Sequence, residues 1–175
     1  MTTVLETERL LLRRLTLDDA EAAFAIYSDP EVMRFLTGVT ERDIDETRAR
    51  LAARPMAHQA LHGFTLWATV EKETGRLVGA CGLKFLDGGM DIEVGYHFAR
   101  AAWGCGYATE AGAASVRYGF ERLCLRRILG VVNPENYASQ RVLEKIGLTY
   151  QGMGHYYGTD VKVYSAERPG GIPTA

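Results

Sequence analysis

The chain has 175 residues, 47% of them hydrophobic, 24% charged and 10% aromatic, which are the proportions of one globular domain and exclude a wholly disordered polymer. Twenty basic residues against 22 acidic ones give a formal charge of -2, so there is no global basic field to hold nucleic acid. Three cysteines, Cys81, Cys105 and Cys124, are an odd count without CxxC spacing, which argues against a disulfide framework, and no bound metal is expected. No apolar run approaches a membrane span, and the first residues lack a basic segment followed by an apolar one. The default compartment is therefore cytoplasmic.

In chain order, residues 8–15 read as a strand, although Leu10 to Leu12 blur the alternation. Thr16 with Asp19 resembles a capping box, opening a helix to about Ser28. Asp29-Pro30 starts a short helix, with Pro30 at its first position. Thr40 with Asp43 starts another, which Pro55 interrupts. Phe64, Leu66, Ala68 and Val70 alternate with Thr65, Trp67 and Thr69, the pattern of a half-buried strand. Strands at 76–86 and 90–98 follow across turns at 73–75 and 87–89, completing an antiparallel meander.

Beyond residue 98 the pattern changes. Residues 99–106 are small and contain two glycines, 107–123 have helical spacing, and 126–132 form a near-continuous apolar strand of the buried parallel kind. A second helix at 136–146 stops at Gly147, two strands near 148–155 and 160–167 close the domain, and the tail 168–175 reads as disordered.

The stretch Trp103-Gly104-Cys105-Gly106-Tyr107-Ala108 leaves a strand, turns on two glycines and enters a helix. The first turn of a helix has unpaired N–H groups and a partial positive charge, and glycines let a ligand approach the backbone closely. Together these make an anion cradle, usually for phosphate. A P-loop is excluded because GxxxxGK[ST] is absent. A dinucleotide fingerprint needs a third glycine where Thr109 stands and an acid where Asn133 stands. On the loop alone, a tight turn opening a buried helix remains open as a second reading.

The loop occurs in a longer series. It follows Ile92-Glu93-Val94-Gly95-Tyr96 and precedes Asn133-Pro134-Glu135-Asn136-Tyr137-Ala138-Ser139 and Val142-Leu143-Glu144-Lys145-Ile146-Gly147-Leu148; Thr7-Glu8-Arg9-Leu10-Leu11-Leu12-Arg13 opens the chain. With these motifs the chain resembles the GNAT superfamily of acetyl-CoA-dependent N-acetyltransferases, in the branch of the ribosomal-protein N-terminal alanine acetyltransferases. The resemblance implies an α/β (α+β) fold: one domain over residues 1–167, with a mixed, mostly antiparallel sheet splayed between two strands and flanked by helices. It implies acetyl-CoA as cosubstrate, held at its pyrophosphate by the N–H groups of Trp103, Gly104, Cys105, Gly106, Tyr107 and Ala108. Tyr96, His97 and Phe98 would pair with the pantetheine as a short extra strand, and Asn136 would hydrogen-bond it. The family's Gln/Arg at the start of the loop is Ala101 here, which removes one side-chain contact to phosphate.

The implied reaction is direct transfer of acetyl to a primary amine in a ternary complex. Glu93 is the candidate base, since an acid in a cleft beside the acetyl group is suited to accept a proton. Ser139 is the candidate for protonating the thiolate, with Tyr137 as fallback. Structural readings stay open beside these: a salt-bridged strand glutamate for Glu93, a helix cap for Asn136 and for Ser139. His97 as a side chain reads as structural, and His155, Tyr156 and Tyr157 as lining the acceptor pocket or an aromatic cluster. The expected acceptor is a peptide or protein N-terminal amine, with a small-molecule amine or a non-catalytic acyl-CoA-binding module as alternatives. No nucleic-acid or membrane partner is expected, and a homodimer is compatible with the sequence.

Overall fold

The chain opens on two strands rather than one. In the computed structural model, which describes residues 2–169, β1 (Thr3–Glu6) and β2 (Leu10–Arg13) pair antiparallel. The turn between them contains neither Gly nor Pro. Thr7 closes it: its amide donates to Leu10 O at 3.0 Å and its hydroxyl accepts from Leu10 N–H at 3.1 Å. A hydroxyl-built turn leaves a weak mark in sequence, which is why one strand is read where two stand.

Asp19 accepts from Thr16 N–H at 2.9 Å and from the Arg13 guanidinium at 2.8 and 2.6 Å, so its buried charge is paired ahead of helix α1 (Ala20–Tyr27). Asp29 caps α2 (Pro30–Met33) by accepting from Glu31 N–H. Helix α3 (Ile44–Leu51) is capped by Asp43, which accepts from Glu46 N–H at 2.8 Å, and not by Thr40. Pro55 does not end it. Residues Ala52–Met56 widen into a π turn, which accommodates the missing N–H, and α4 (Ala57–His62) continues to Gly63 at φ 80°.

The remaining elements are β3 (Leu66–Glu71), β4 (Leu77–Phe85), β5 (Ile92–Phe98), α5 (Tyr107–Glu121), β6 (Arg127–Val132), α6 (Tyr137–Lys145), β7 (Thr149–Tyr156) and β8 (Thr159–Glu167). They form one sheet in the order β1-β2-β3-β4-β5-β6-β8-β7, antiparallel throughout except for β5 with β6. Helices cover both faces. Trp67, Leu83, Val94, Ile128 and Leu143 pack with Ala111 of α5 on one, and Tyr27, Met33, Leu51 and Ala68 pack on the other. Strand β3 is consequently buried on both sides, Trp67, Ala68 and Thr69 all at 0% exposure, and not half-buried as its alternation suggests. The Trp67 indole N–H donates to Gln59 at 2.9 Å and its ring meets Tyr118 edge-on.

Order continues past β8, where Arg168 N–H donates to Arg126 O; the rest of the tail, from 170 on, lies outside the described residues. Among the described residues no helix is long and apolar enough to cross a membrane.

Candidate active site

Strands β5 and β6 meet at a single register pair, Glu93 opposite Leu129. Beyond that pair they part. The β4 edge of β5 is paired from Ile92 to Phe98, whereas among the described residues no residue of β6 stands in register with 94–98. An unpaired edge inside a sheet is a template for an extended ligand. Parity is as the alternation predicts: Ile92, Val94 and Phe98 enter the core under α5, while Glu93 and His97 face the other way.

Strand β5 runs into the glycine loop. Ala102 N–H and Trp103 N–H are used in a tight turn, donating to Ala99 O and Arg100 O, and the Trp103 indole N–H donates to Phe98 O at 2.8 Å. Trp103 therefore has no main-chain donor left for a ligand, and the run of open donors starts at Gly104. From Gly104 through Thr109 the amides have no partner among the described residues; the first bond of α5 is Glu110 N–H to Gly106 O. Gly104 and Gly106 sit at φ 77° and 80°, the left-handed region that side-chain-bearing residues rarely adopt. A Cβ on Gly104 would meet no atom within 4 Å, and one on Gly106 only the Arg9 guanidinium at 3.5 Å. The space beside the loop is open, and donors in this arrangement fit a diphosphate. The Cys105 side chain is exposed and its thiol lies 3.7 Å from Trp103 O, which is consistent with a spacer.

Across the split, Asn136 caps α6 by accepting from Ser139 N–H at 3.1 Å. Ser139 Oγ is 2.9 Å from the Tyr96 hydroxyl, which also donates to Ser139 O at 3.1 Å, so the two walls of the split are tied together at this point. Burial pushes the Tyr96 phenol well above its ordinary value, its bond to Ser139 opposing, and it stays protonated as a donor. Tyr137, on the same turn, is 66% exposed and makes no hydrogen bond to this pair among the described residues.

Glu93 is only 4% exposed. Its Oε1 accepts from Lys84 Nζ at 2.5 Å, directly opposite on β4, and from the Tyr157 hydroxyl. Tyr157 comes from the β7–β8 turn, whose two central residues, Tyr157 and Gly158, both have positive φ (54° and 73°). The tip is latched to the β4–β5 turn: Tyr157 N–H donates to Asp87 Oδ2 at 2.8 Å and Asp87 N–H donates to Tyr157 Oη at 3.0 Å. Burial opposes the Lys84 charge, but Glu93 and Tyr157 outweigh it and hold the ammonium above its ordinary value. His97 binds the Tyr27 hydroxyl through Nε2; burial, with Arg50 and Lys84 adding to it, pushes its pKa down to about 3, so the ring is neutral near pH 7. Beside it lies a cleft of about 410 Å³ lined by Tyr27, Met33, Leu36, Val39 and Arg50 among others.

Sequence reasoning thus reaches Glu93, Tyr96, the loop, Asn136 and Ser139, and the fold brings all of them to the split. It misses Lys84, Tyr27 and Arg50 and gives Tyr157 no specific role. Lys84 has a readable signal, its place opposite Glu93 across the β4–β5 turn. Tyr27 and Tyr157 arrive from distant elements and leave no local pattern.

Residues 9–149 match the family model described as an acetyltransferase (GNAT) domain. The chain is 35% identical over 173 residues to the uncharacterized N-acetyltransferase YoaA of Bacillus subtilis, covering 95% of this chain and 97% of the relative. The crystal structure of a GNAT-family acetyltransferase from Bacillus anthracis superposes with a TM-score of 0.80 at 28% identity, over 94% of this chain and 98% of that one. RimL, a ribosomal L7/L12 alpha-N-protein acetyltransferase solved with coenzyme A, shares the fold with a TM-score of 0.77 at 17% identity, over 95% and 98% of the two chains. The split sheet and the glycine loop are thus set in a chain that belongs to the GNAT acetyltransferase family.

Proposed function

We propose that this N-acetyltransferase moves acetyl from acetyl-CoA to a peptide N-terminal amine by direct attack at the β5–β6 split. The observation that carries the reading is continuity: the strand edge left free beyond Glu93 leads straight into the open amides of Gly104–Thr109. Thioester, pantetheine and diphosphate fit that line in order. Acetyl-CoA supplies the activated acetyl thioester.

The chain's own groups do the rest. The amides from Gly104 to Thr109 hold the diphosphate, and the free edge of Tyr96–Phe98 orients the pantetheine, with Asn136 beside it. The acceptor reaches the split from the face that carries Glu93 and His97. Glu93 accepts a proton from the amine as its nitrogen attacks the acetyl carbon. Main-chain N–H groups of β5 stabilise negative charge on the carbonyl oxygen. As the C–S bond breaks, Ser139 Oγ gives its proton to the sulfur, with Tyr96 donating behind it; Tyr137 is the alternative donor. An α-amine, near 7.7–8, releases its proton to such a base more readily than a lysine near 10.4. The alpha-N-protein activity in the name of RimL points the same way.

Thiol release from acetyl-CoA across a panel of acceptors tests this. Peptides with free N-termini are expected to be turned over and the same peptides with blocked N-termini are not. Turnover confined to polyamines, amino acids or aminoglycosides would move the acceptor class to small amines. Coenzyme A binding without turnover of any acceptor would leave a binding module.

A further inference from the structure

We propose that Arg9, on the β1–β2 turn, is a positioning residue for the diphosphate cradle, 95 or more positions away in sequence from the loop it braces. This rests on the reading of Gly104–Thr109 as the diphosphate site. Arg9 Nη1 donates to Cys105 O at 2.9 Å. A trans peptide directs its C=O and the following N–H to opposite sides. Holding the Cys105 carbonyl toward Arg9 therefore turns the Gly106 N–H to the far side of the loop. The torsions on either side of that peptide are ψ of Cys105 and φ of Gly106, and Gly106, at φ 80°, has no side chain to resist its rotation.

Arg9 is itself held rigidly. Its Nε donates to Glu110 Oε2 at 2.7 Å, its main-chain N–H to Glu110 Oε1 at 2.8 Å, and Thr7 Oγ1 to the same oxygen at 2.6 Å. Its guanidinium lies 4.8 Å from the centre of the Tyr107 ring. Burial disfavours the Glu110 charge, but these donors outweigh it and hold the carboxyl below its ordinary value. An anionic Glu110 suits the start of a helix and repels a bound diphosphate. Arg9 Nη2, 2.7 Å from Glu110 Oε2, offsets that repulsion. One side chain thus sets the orientation of a donor and neutralises the acid next to it, in a loop where Ala101 offers no polar side chain.

Arg9→Met keeps the stem over Tyr107 and removes the donors. Calorimetric titration with coenzyme A is expected to give about tenfold weaker binding, with the KM for acetyl-CoA raised and kcat within about twofold. Pantetheine, which has no phosphate, is expected to bind both proteins alike in an NMR titration. Adding Glu110→Gln to Arg9→Met is expected to recover part of the lost coenzyme affinity. Unchanged coenzyme affinity in Arg9→Met, with Gly106→Val still impaired, overturns the brace and leaves the loop site standing. Unchanged affinity in both variants overturns the loop site as well. Equal loss for coenzyme A and pantetheine reduces Arg9 to a general structural role and overturns the proposal.

Discussion

The two ends of β5 treat their polar groups in opposite ways. At its start, Glu93 is buried and bound by Lys84 and Tyr157, with every contact coming from a side chain on another strand or turn. Past its end, the amides of Gly104–Thr109 have no partner among the described residues, and the side chain that bears on the loop, Arg9, holds a carbonyl and leaves the amides open. The loop is prepared for a ligand that brings its own charge, because unpaired N–H groups exposed to water cost little until an anion replaces that water. The carboxylate cannot stand bare in the interior, so the fold encloses it with partners. A substrate-binding site can be built from main chain and left open; a buried charge needs a shell.

The largest test of this contrast is Glu93→Gln. If the enclosed acid is the base, kcat falls about 100-fold, since general bases typically contribute 10²–10⁴, while coenzyme A affinity changes less than about twofold. Steady-state thiol release and calorimetry read the two halves. Gly106→Val probes the other end: a β-branched residue at φ 80° is strained, so the loop cannot keep its shape, and its Cβ would stand 3.5 Å from the Arg9 guanidinium. Coenzyme affinity is expected to fall at least about tenfold, with kcat at saturating acetyl-CoA much less affected.

Tyr157→Phe sharpens the comparison at the shell. It removes one hydroxyl that touches Glu93, Lys84 and Asp87 N–H, and denaturant unfolding is expected to show a loss of about 1 kcal/mol. Turnover falls only severalfold, because Lys84 still holds the carboxylate. The smallest effect is a slope. His97 has a folded pKa of about 3 against an ordinary 6.5, so between these values the unfolded chain binds the extra proton. Its contribution is fully present above pH 6.5 and is lost as pH falls toward 3. His97→Asn is expected to flatten the fall of Tm between pH 6.5 and 4; an unchanged slope assigns the acid sensitivity elsewhere.

The same contrast sets what could be read in advance. The loop, its glycines and the caps Asp29 and Asn136 are local features, with cause and effect within a few residues, and they stand in the fold as their sequence suggests. The free edge of β5 is implied by the family resemblance alone, whereas the faces that its side chains take follow from parity. The Glu93 shell is legible only in part: Lys84 stands opposite across the β4–β5 turn, but Tyr157 reaches the acid only through the twist of a hairpin 64 positions on. Pro55 and the Thr7 turn are missed for a related reason: the widened helix turn and the hydroxyl-closed hairpin solve locally what Pro and the lack of Gly argue against.

The placement of the diphosphate is tested most directly by following backbone amide shifts of the isotope-labelled protein as coenzyme A is added. The expected result is that the largest downfield changes fall on Gly104 to Thr109, with Trp103 N–H, already bonded to Arg100 O, moving less. Saturable binding that leaves those six amides unmoved and shifts another helix start instead would contradict it.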